Sequence, residues 1–284
     1  MAKIIDGKQI AKEVRAEIAA ECTELKKKGI VPGLAVVIVG TDPASQVYVR
    51  NKKKACEEVG FHSEVFELPE ETTEEELLAL VKKLNEDVNI HGILVQLPLP
   101  EHLDDEVIIA NIDPKKDVDA FHPSNVGKIM IGNYDFLPCT PAGVMVLLEK
   151  SGIDVSGKEC VVVGRSNIVG KPQAMLLLHA NGTVTICHSR TKDLAEVTRR
   201  ADILVVAIGK ADFITGDMVK DGVVVIDVGM NRKADGKLTG DVDFATVEPK
   251  ASYITPVPGG VGPMTITMLL RNTLTSAKKH AGII

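Results

Sequence analysis

Apolar residues along this chain follow two alternating rhythms. Ile10, Val14 and Ile18 recur every four residues, which predicts a helix ending near Gly29. LAVVIV at 34–39 is short and wholly apolar, the pattern of a strand buried on both faces of a parallel sheet. Asp42 followed by Pro43 reads as an N-cap and a first-turn proline, opening a helix toward Gly60. SEVFEL at 63–68 alternates and predicts a strand, and Thr73 with Glu76 forms a capping box for a helix bearing Leu77, Leu80, Val81 and Leu84. GILVQLP at 92–98 predicts a further buried strand, stopped by Pro98 and Pro100. Thr140 and Pro141 repeat the cap-and-proline signal toward Gly152. A second series of strands is then predicted at 159–164, 183–188, 201–209 and 223–229, with the spacing that strand–helix–strand units require. A last helix follows Pro263, with Met264, Met268 and Leu269 on one face.

These elements predict an α/β protein of two domains. The chain, at 284 residues, exceeds most single domains. The expected division is an N-terminal α/β catalytic domain at 1–139 and a Rossmann-like dinucleotide-binding domain with a parallel sheet at 140–261. Because the last helix follows the second domain's strands, residues 262–284 are expected to complete the first domain. A net charge of −6 argues against a nucleic-acid or anionic-membrane surface. No apolar run approaches the roughly 20 residues of a membrane span. The opening MAKIIDGKQIAKEV is charged and lacks the apolar core of a signal peptide, so a cytoplasmic location is expected. Five cysteines without a CxxC pair, and histidines without HExxH spacing, predict reduced thiols and no metal site.

VVVGRSNIVGKP at 161–172 is a strand, a glycine-rich turn and a helix start, where backbone N–H groups and a helix dipole can hold a pyrophosphate. Its spacing departs from GxGxxG: Ser166 stands at the second glycine and Gly170 comes one residue late, so a plain tight turn is also open. The next strand ends in His188, Ser189 and Arg190, with no acid to grip ribose hydroxyls. Those groups and Arg165 suit a 2′-phosphate and favour NADP over NAD, unless the arginines are simply solvated. Ser45, Tyr48 and Lys52 share a helix face at i, i+3 and i+7, beside the further cations Arg50, Lys53 and Lys54. Lys52 is therefore either part of a solvated basic face or a functional amine. Gln96 ends a buried strand, where ligands of parallel sheets are met, or is a satisfied strand-end amide. Asp117 and Asp119 lie in a loop, where acids most often form turns or caps.

ASQVYVRNKKKACEEVGF, GILVQLPLP, PKKDVDAFHPSNVG, VVVGRSNIVGKP and TPVPGGVGPMT occur in an order and spacing that resembles the bifunctional methylenetetrahydrofolate dehydrogenase/cyclohydrolases over nearly the whole chain. The resemblance implies oxidation of 5,10-methylenetetrahydrofolate with NADP, then hydrolysis of the methenyl product to 10-formyltetrahydrofolate, in one-carbon metabolism and purine biosynthesis. It makes Lys52 the catalytic lysine of a YxxxK motif with Tyr48, and Gln96 the glutamine bonded to it. Asp119 becomes the carboxylate that binds the pterin, with Asp117 the next candidate. Gly164, Arg165 and Ser166 correspond to NADP-binding positions, joined by Ser189, Arg190 and Met230. Pro258 and Gly259 belong to a turn that closes over both ligands, in a cleft between the domains. A homodimer through the cofactor domain is also implied. One departure stands out: the family usually has DVDG where this chain has DVDA at 117–120, an exchange that matters if residue 120 needs positive φ. A dehydrogenase for another substrate, one lacking the hydrolase step, and a non-catalytic NADP-binding protein are the rival readings.

Overall fold

In the computed structural model, which describes residues 1–284 apart from the side chain of Ala44, the apolar runs become parallel strands. In chain order the elements begin β1 (Lys3–Ile4), α1 (Gly7–Lys27), β2 (Gly33–Val39), α2 (Pro43–Val59), β3 (His62–Leu68), α3 (Glu74–Glu86) and β4 (Gly92–Val95). Next come α4 (Asp105–Ala110), α5 (Pro123–Ile131), α6 (Cys139–Lys150), β5 (Glu159–Val163), α7 (Gly170–His179), β6 (Thr183–Cys187) and α8 (Leu194–Arg200). The chain continues through β7 (Ile203–Val206), β8 (Val224–Asp227), β9 (Asn231–Arg232), β10 (Leu238–Thr239), α9 (Phe244–Val247), β11 (Tyr253–Ile254) and α10 (Val261–His280). Two compact units result: Glu13–Cys139 with Ile266–Ile284, and Met1–Lys12 with Thr140–Thr265.

The first of these holds a parallel sheet ordered β3-β2-β4. Its central strand β2 is buried throughout, as its unbroken apolar run requires. Leu77, Val81 and Leu84 of α3 and Ile108 of α4 join Ala35, Val37 and Ile93 in one core. The local signals act as their chemistry dictates. The Asp42 carboxylate accepts from Ser45 N at 2.7 Å, Pro43 occupies the first turn, and Thr73 with Glu76 closes a capping box. Gly92 lets the 113–120 loop lie on β4, because a Cβ there would stand 2.8 Å from Val118 Cγ1.

The second unit holds an all-parallel sheet ordered β1-β11-β8-β7-β5-β6. The order reverses at β5, so the carboxyl ends of β5 and β7 flank the crevice where doubly wound sheets take ligands. Here the expected boundary is corrected. Residues 1–12 join this unit, because β1 pairs in register with β11, Lys3 opposite Tyr253 and Ile4 opposite Ile254. A two-residue strand has no periodicity of its own; its partner's backbone makes it a strand. The helix cap at Thr140 is also shifted: α6 starts at Cys139, and the Thr140 hydroxyl meets that of Thr265 at 2.9 Å. The run 201–209 is a strand only over Ile203–Val206, and Ala207–Gly209 leaves the sheet as a loop. Among the described residues, no helix is long and apolar enough to cross a membrane.

Candidate active site

Lys52 leaves the basic face of α2. Arg50, Lys53 and Lys54 are exposed, whereas Ser45 and Lys52 retain 5% and 8% of their accessible surface. The Lys52 ammonium donates to Gln96 Oε1 at 2.9 Å, and Gln96 Nε2 donates to Leu97 O at 2.6 Å. The second bond turns the amide so that its oxygen faces the lysine. Gln96 sits immediately beyond β4, anchored by its own N–H to Val37 O. Burial pushes the Lys52 pKa down; the nearby Asp119 carboxylate and the Cys139 and Cys56 thiols push it up, and burial wins. Tyr48 is half-buried on the same face, and burial raises its phenol pKa, so it stays neutral.

The two loop aspartates separate by role. Asp117 is buried, and its Oδ2 accepts from His122 N and Asn125 Nδ2, both at 2.8 Å. It shapes the loop. Asp119 is half-buried, near Lys52 and near the fully buried Cys139, whose thiol donates to Val118 O at 3.4 Å. Between this carboxylate and α5 lies Ala120, buried, with φ 57°. Position 120 thus does require the left-handed conformation, which costs an L-residue with a Cβ roughly 1–2 kcal/mol.

In the other unit, the turn after β5 admits only glycine at both ends. A Cβ on Gly164, whose φ is 135°, would lie 2.3 Å from Ala207 O; one on Gly170 would lie 2.3 Å from Gly164 O. Ser166 Oγ accepts from Val169 N and Gly170 N at 3.2 Å each, so the serine closes the turn with its side chain. Gly164 N donates to Cys187 O at 2.9 Å, which sets this turn beside the end of β6. Arg165, Ser189 and Arg190 are exposed there, and neither guanidinium has a partner among the described residues. Met230 follows β8 and is 44% exposed, its Cε 3.2 Å from where a Cβ of Gly262 would stand. Pro258 and Gly259 lie in this same unit, in a turn held to α1 by Lys8 N donating to Gly259 O at 3.1 Å.

A profile of the tetrahydrofolate dehydrogenase/cyclohydrolase catalytic domain matches residues 5–119, and that of the family's NAD(P)-binding domain matches 138–281. The chain belongs to the tetrahydrofolate dehydrogenase/cyclohydrolase family. It is similar to the bifunctional protein FolD of Acetivibrio thermocellus, 63% identical over 280 residues that cover 99% of this chain and 98% of that one. The crystal structure of the bifunctional FolD from Campylobacter jejuni superposes with a TM-score of 0.97 at 54% identity, covering 98% of this chain and 99% of that one. The Trypanosoma brucei FolD, complexed with NADP cofactor and inhibitor, gives 0.95 at 44% identity, covering 99% and 98%. The two-domain α/β fold with a parallel sheet is the family's fold.

Within this family member the structure brings Lys52, Gln96 and Asp119 together in one unit, and Gly164, Arg165, Ser166, Ser189 and Arg190 along one sheet edge in the other. Sequence reading passed over Cys139, which reaches Asp119 only through folding, and the buried carboxylates Asp227 and Asp241. The strings DVG at 227–229 and GD at 240–241 carry the only local hint of the latter: glycine beside a buried acid.

Proposed function

We propose that this chain oxidises 5,10-methylenetetrahydrofolate with NADP and hydrolyses the resulting methenyl cation to 10-formyltetrahydrofolate. The observation that carries the reading is a buried lysine whose hydrogen-bond partner is a neutral amide, Gln96, with a half-buried carboxylate nearby. NADP supplies the hydride acceptor when bound. The cradle fits it: Gly164 and Gly170 leave backbone space that a Cβ would fill, and Arg165 and Arg190 offer guanidinium groups to a 2′-phosphate. The Ser166 oxygen accepts two backbone N–H groups, which leaves its O–H to donate to a phosphate. Met230 would flank the cofactor, with the Pro258–Gly259 turn in the same unit.

Asp119 suits the pterin, whose amino and ring N–H groups present two parallel donors to a carboxylate. Tyr48 supplies a neutral ring and hydroxyl to the same ligand. Loss of hydride from the methylene carbon leaves a cation on the folate, and an ammonium beside it would oppose that charge. A lowered Lys52 pKa favours the neutral amine, and the cationic product lowers it further. The neutral amine then accepts a proton as water adds to the methenyl carbon. It returns that proton to the ring nitrogen as the carbon–nitrogen bond breaks, while the hydroxyl proton leaves and the formyl group forms. Gln96 orients the amine without adding charge.

The product would serve one-carbon metabolism and purine biosynthesis in the cytoplasm. A homodimer through the cofactor-binding unit is supported by edge strand β6, whose Ile186 is 37% exposed, and by Leu178 of the adjoining α7, 50% exposed. Light scattering should give twice the chain mass. The deciding assay follows reduced dinucleotide and methenyl absorbance together, with NADP and NAD in parallel. Turnover preferring NADP, with methenyl product passing on to formyl product, supports the reading; no turnover of methylenetetrahydrofolate would overturn it.

A further inference from the structure

Two buried carboxylates tie together the loops that follow β7 and β8, and the chemistry above uses neither. Asp227, the last residue of β8, accepts from Gly229 N at 2.9 Å and Asp241 N at 3.0 Å through Oδ1, and from Val242 N at 2.9 Å through Oδ2. Asp241 is fully buried. Its Oδ2 accepts from Ile208 N at 2.7 Å and Gly209 N at 3.0 Å; its Oδ1 accepts from Lys210 N at 2.8 Å and Asn231 Nδ2 at 2.9 Å. The two acids interlock through glycines. A Cβ on Gly229 would stand 2.3 Å from the Asp241 carboxyl, and one on Gly240 would stand 1.8 Å from Asp227 Oδ2. Burying a charge costs several kcal/mol unless hydrogen bonds replace its water, and here N–H donors replace it.

The place of this device is informative. Residues 207–210 follow β7 and residues 228–231 follow β8, both at the carboxyl edge of the parallel sheet. The Ala207 carbonyl occupies the space that Gly164 leaves by lacking a Cβ, so the first loop also adjoins the glycine-rich turn. Met230 stands immediately before Asn231, one of the four donors to Asp241.

We propose that Asp241 is a positioning residue for the dinucleotide: its carboxylate holds Ala207–Lys210 and Val228–Asn231 in the shape that receives the cofactor. This rests on the reading that NADP binds at this sheet edge. Asp241 touches no ligand itself; it acts through the backbone of one loop and the Asn231 amide of the other. An isosteric Asp241→Asn exchange tests the idea sharply. Whichever way the new amide turns, its NH₂ faces two N–H donors, so half of the clamp fails with no change in volume.

The experiment measures NADPH affinity by fluorescence, KM for NADP, kcat at saturating NADP, and methenyl hydrolysis with no dinucleotide added. Asp241→Asn is expected to weaken NADPH binding and raise the NADP KM about 10- to 100-fold, as loss of hydrogen bonds to a charged group implies. Methenyl hydrolysis and the folate KM should stay within about twofold of wild type, a split that general destabilisation does not give. Asn231→Ala, which removes one neutral donor, should weaken NADPH binding about 3- to 10-fold; it carries the test if Asp241→Asn does not fold. Arg165→Ala is run beside them. If it weakens NADP binding and the clamp variants do not, the inference about Asp241 is wrong while the cofactor reading stands. If none of the three changes NADP binding, the cofactor reading has failed instead. Equal loss of both activities in the clamp variants would reduce Asp241 to a staple of the fold and overturn the proposal.

Discussion

Lys52 and Lys116 lie in the same unit, and both are buried, at 8% and 4% exposure. Burial lowers the pKa of each. Their partners differ. Lys116 donates to Leu84 O at 3.0 Å and Asp87 O at 2.7 Å, capping the carbonyl end of α3 where a cation is favoured, with Asp113 and Asp87 restoring part of its charge stability. Lys52 has one neutral amide oxygen at hydrogen-bond distance among the described residues. Asp117 and Asp119 repeat the contrast: the first is bonded to His122 N and Asn125, the second faces Lys52 and Cys139. A buried ion surrounded by fixed donors or acceptors holds the fold. A buried ion with a sparse shell keeps capacity for a ligand and for a change of protonation state.

The largest effect should come from exchanging the two lysines in turn. Lys52→Met keeps the packing and removes the amine, so methenyl hydrolysis should fall about 10²- to 10⁴-fold while methylene oxidation falls less and methenyl product accumulates. Lys116→Met should instead cost about 1–3 kcal/mol of stability, since one buried and one partly buried carbonyl lose their donor, and both activities should fall alike with the folded fraction. Assaying both activities and denaturant midpoints on both variants would break the comparison if the two patterns coincided.

The aspartates come next. Asp119→Ala should damage both activities together, because both steps use one bound pterin, with NADPH affinity near wild type. Removing a charged hydrogen-bonding partner of the ligand should raise the folate KM about 10- to 100-fold. Asp117→Ala should show itself first as a lower melting temperature. If Asp119→Ala keeps normal folate kinetics, the pterin anchor lies elsewhere.

Acid should read out the scaffold region separately. The His91 ring accepts from Gly33 N at 3.0 Å and meets His280 edge-on. Burial first, then the charges of His280 and Lys116, hold its pKa down at about 4 against an ordinary 6.5. The folded state therefore binds fewer protons than the unfolded chain between those values, so stability is present above pH 6.5 and is lost as pH falls toward about 4. His91→Asn keeps an acceptor for Gly33 and should flatten that limb in thermal melts followed against pH. An unchanged slope would assign the acid limb to other groups. Methenyl hydrolysis should show the opposite origin, rising with pH because the Lys52 base must be neutral.

The smallest effect is expected at Ala120. Glycine adopts φ near 57° without strain, and its greater freedom in the unfolded chain offsets part of the gain, so Ala120→Gly should stabilise by about 0.5–1 kcal/mol. Chemical denaturation reads this directly. A destabilised Ala120→Gly would mean that the buried methyl contributes more through packing than the backbone conformation costs.

Much of this molecule was legible in one dimension. The apolar runs predicted parallel strands because a strand covered on both faces leaves no polar period. Asp42, Pro43, Thr73 and Glu76 marked helix starts because a cap bonds within three residues of itself. The face shared by Ser45, Tyr48 and Lys52, and the glycine-rich turn at 164–170, likewise follow from short-range geometry. What lay outside the sequence is the surroundings of each polar group. Lys52 sits among Arg50, Lys53 and Lys54, with the same charge and similar length; its burial, and the Gln96 amide brought from the end of a strand 44 residues away, set it apart. Asp117 and Asp119 are chemically alike and two positions apart, and Asn125 decides which one is spent on the loop. Asp241 finds its partners 31 to 33 and 10 residues away, and Lys3 becomes a strand residue only beside Tyr253. Caps and periodicities are fixed by neighbours along the chain, whereas desolvation and charge pairing depend on which distant atoms replace water.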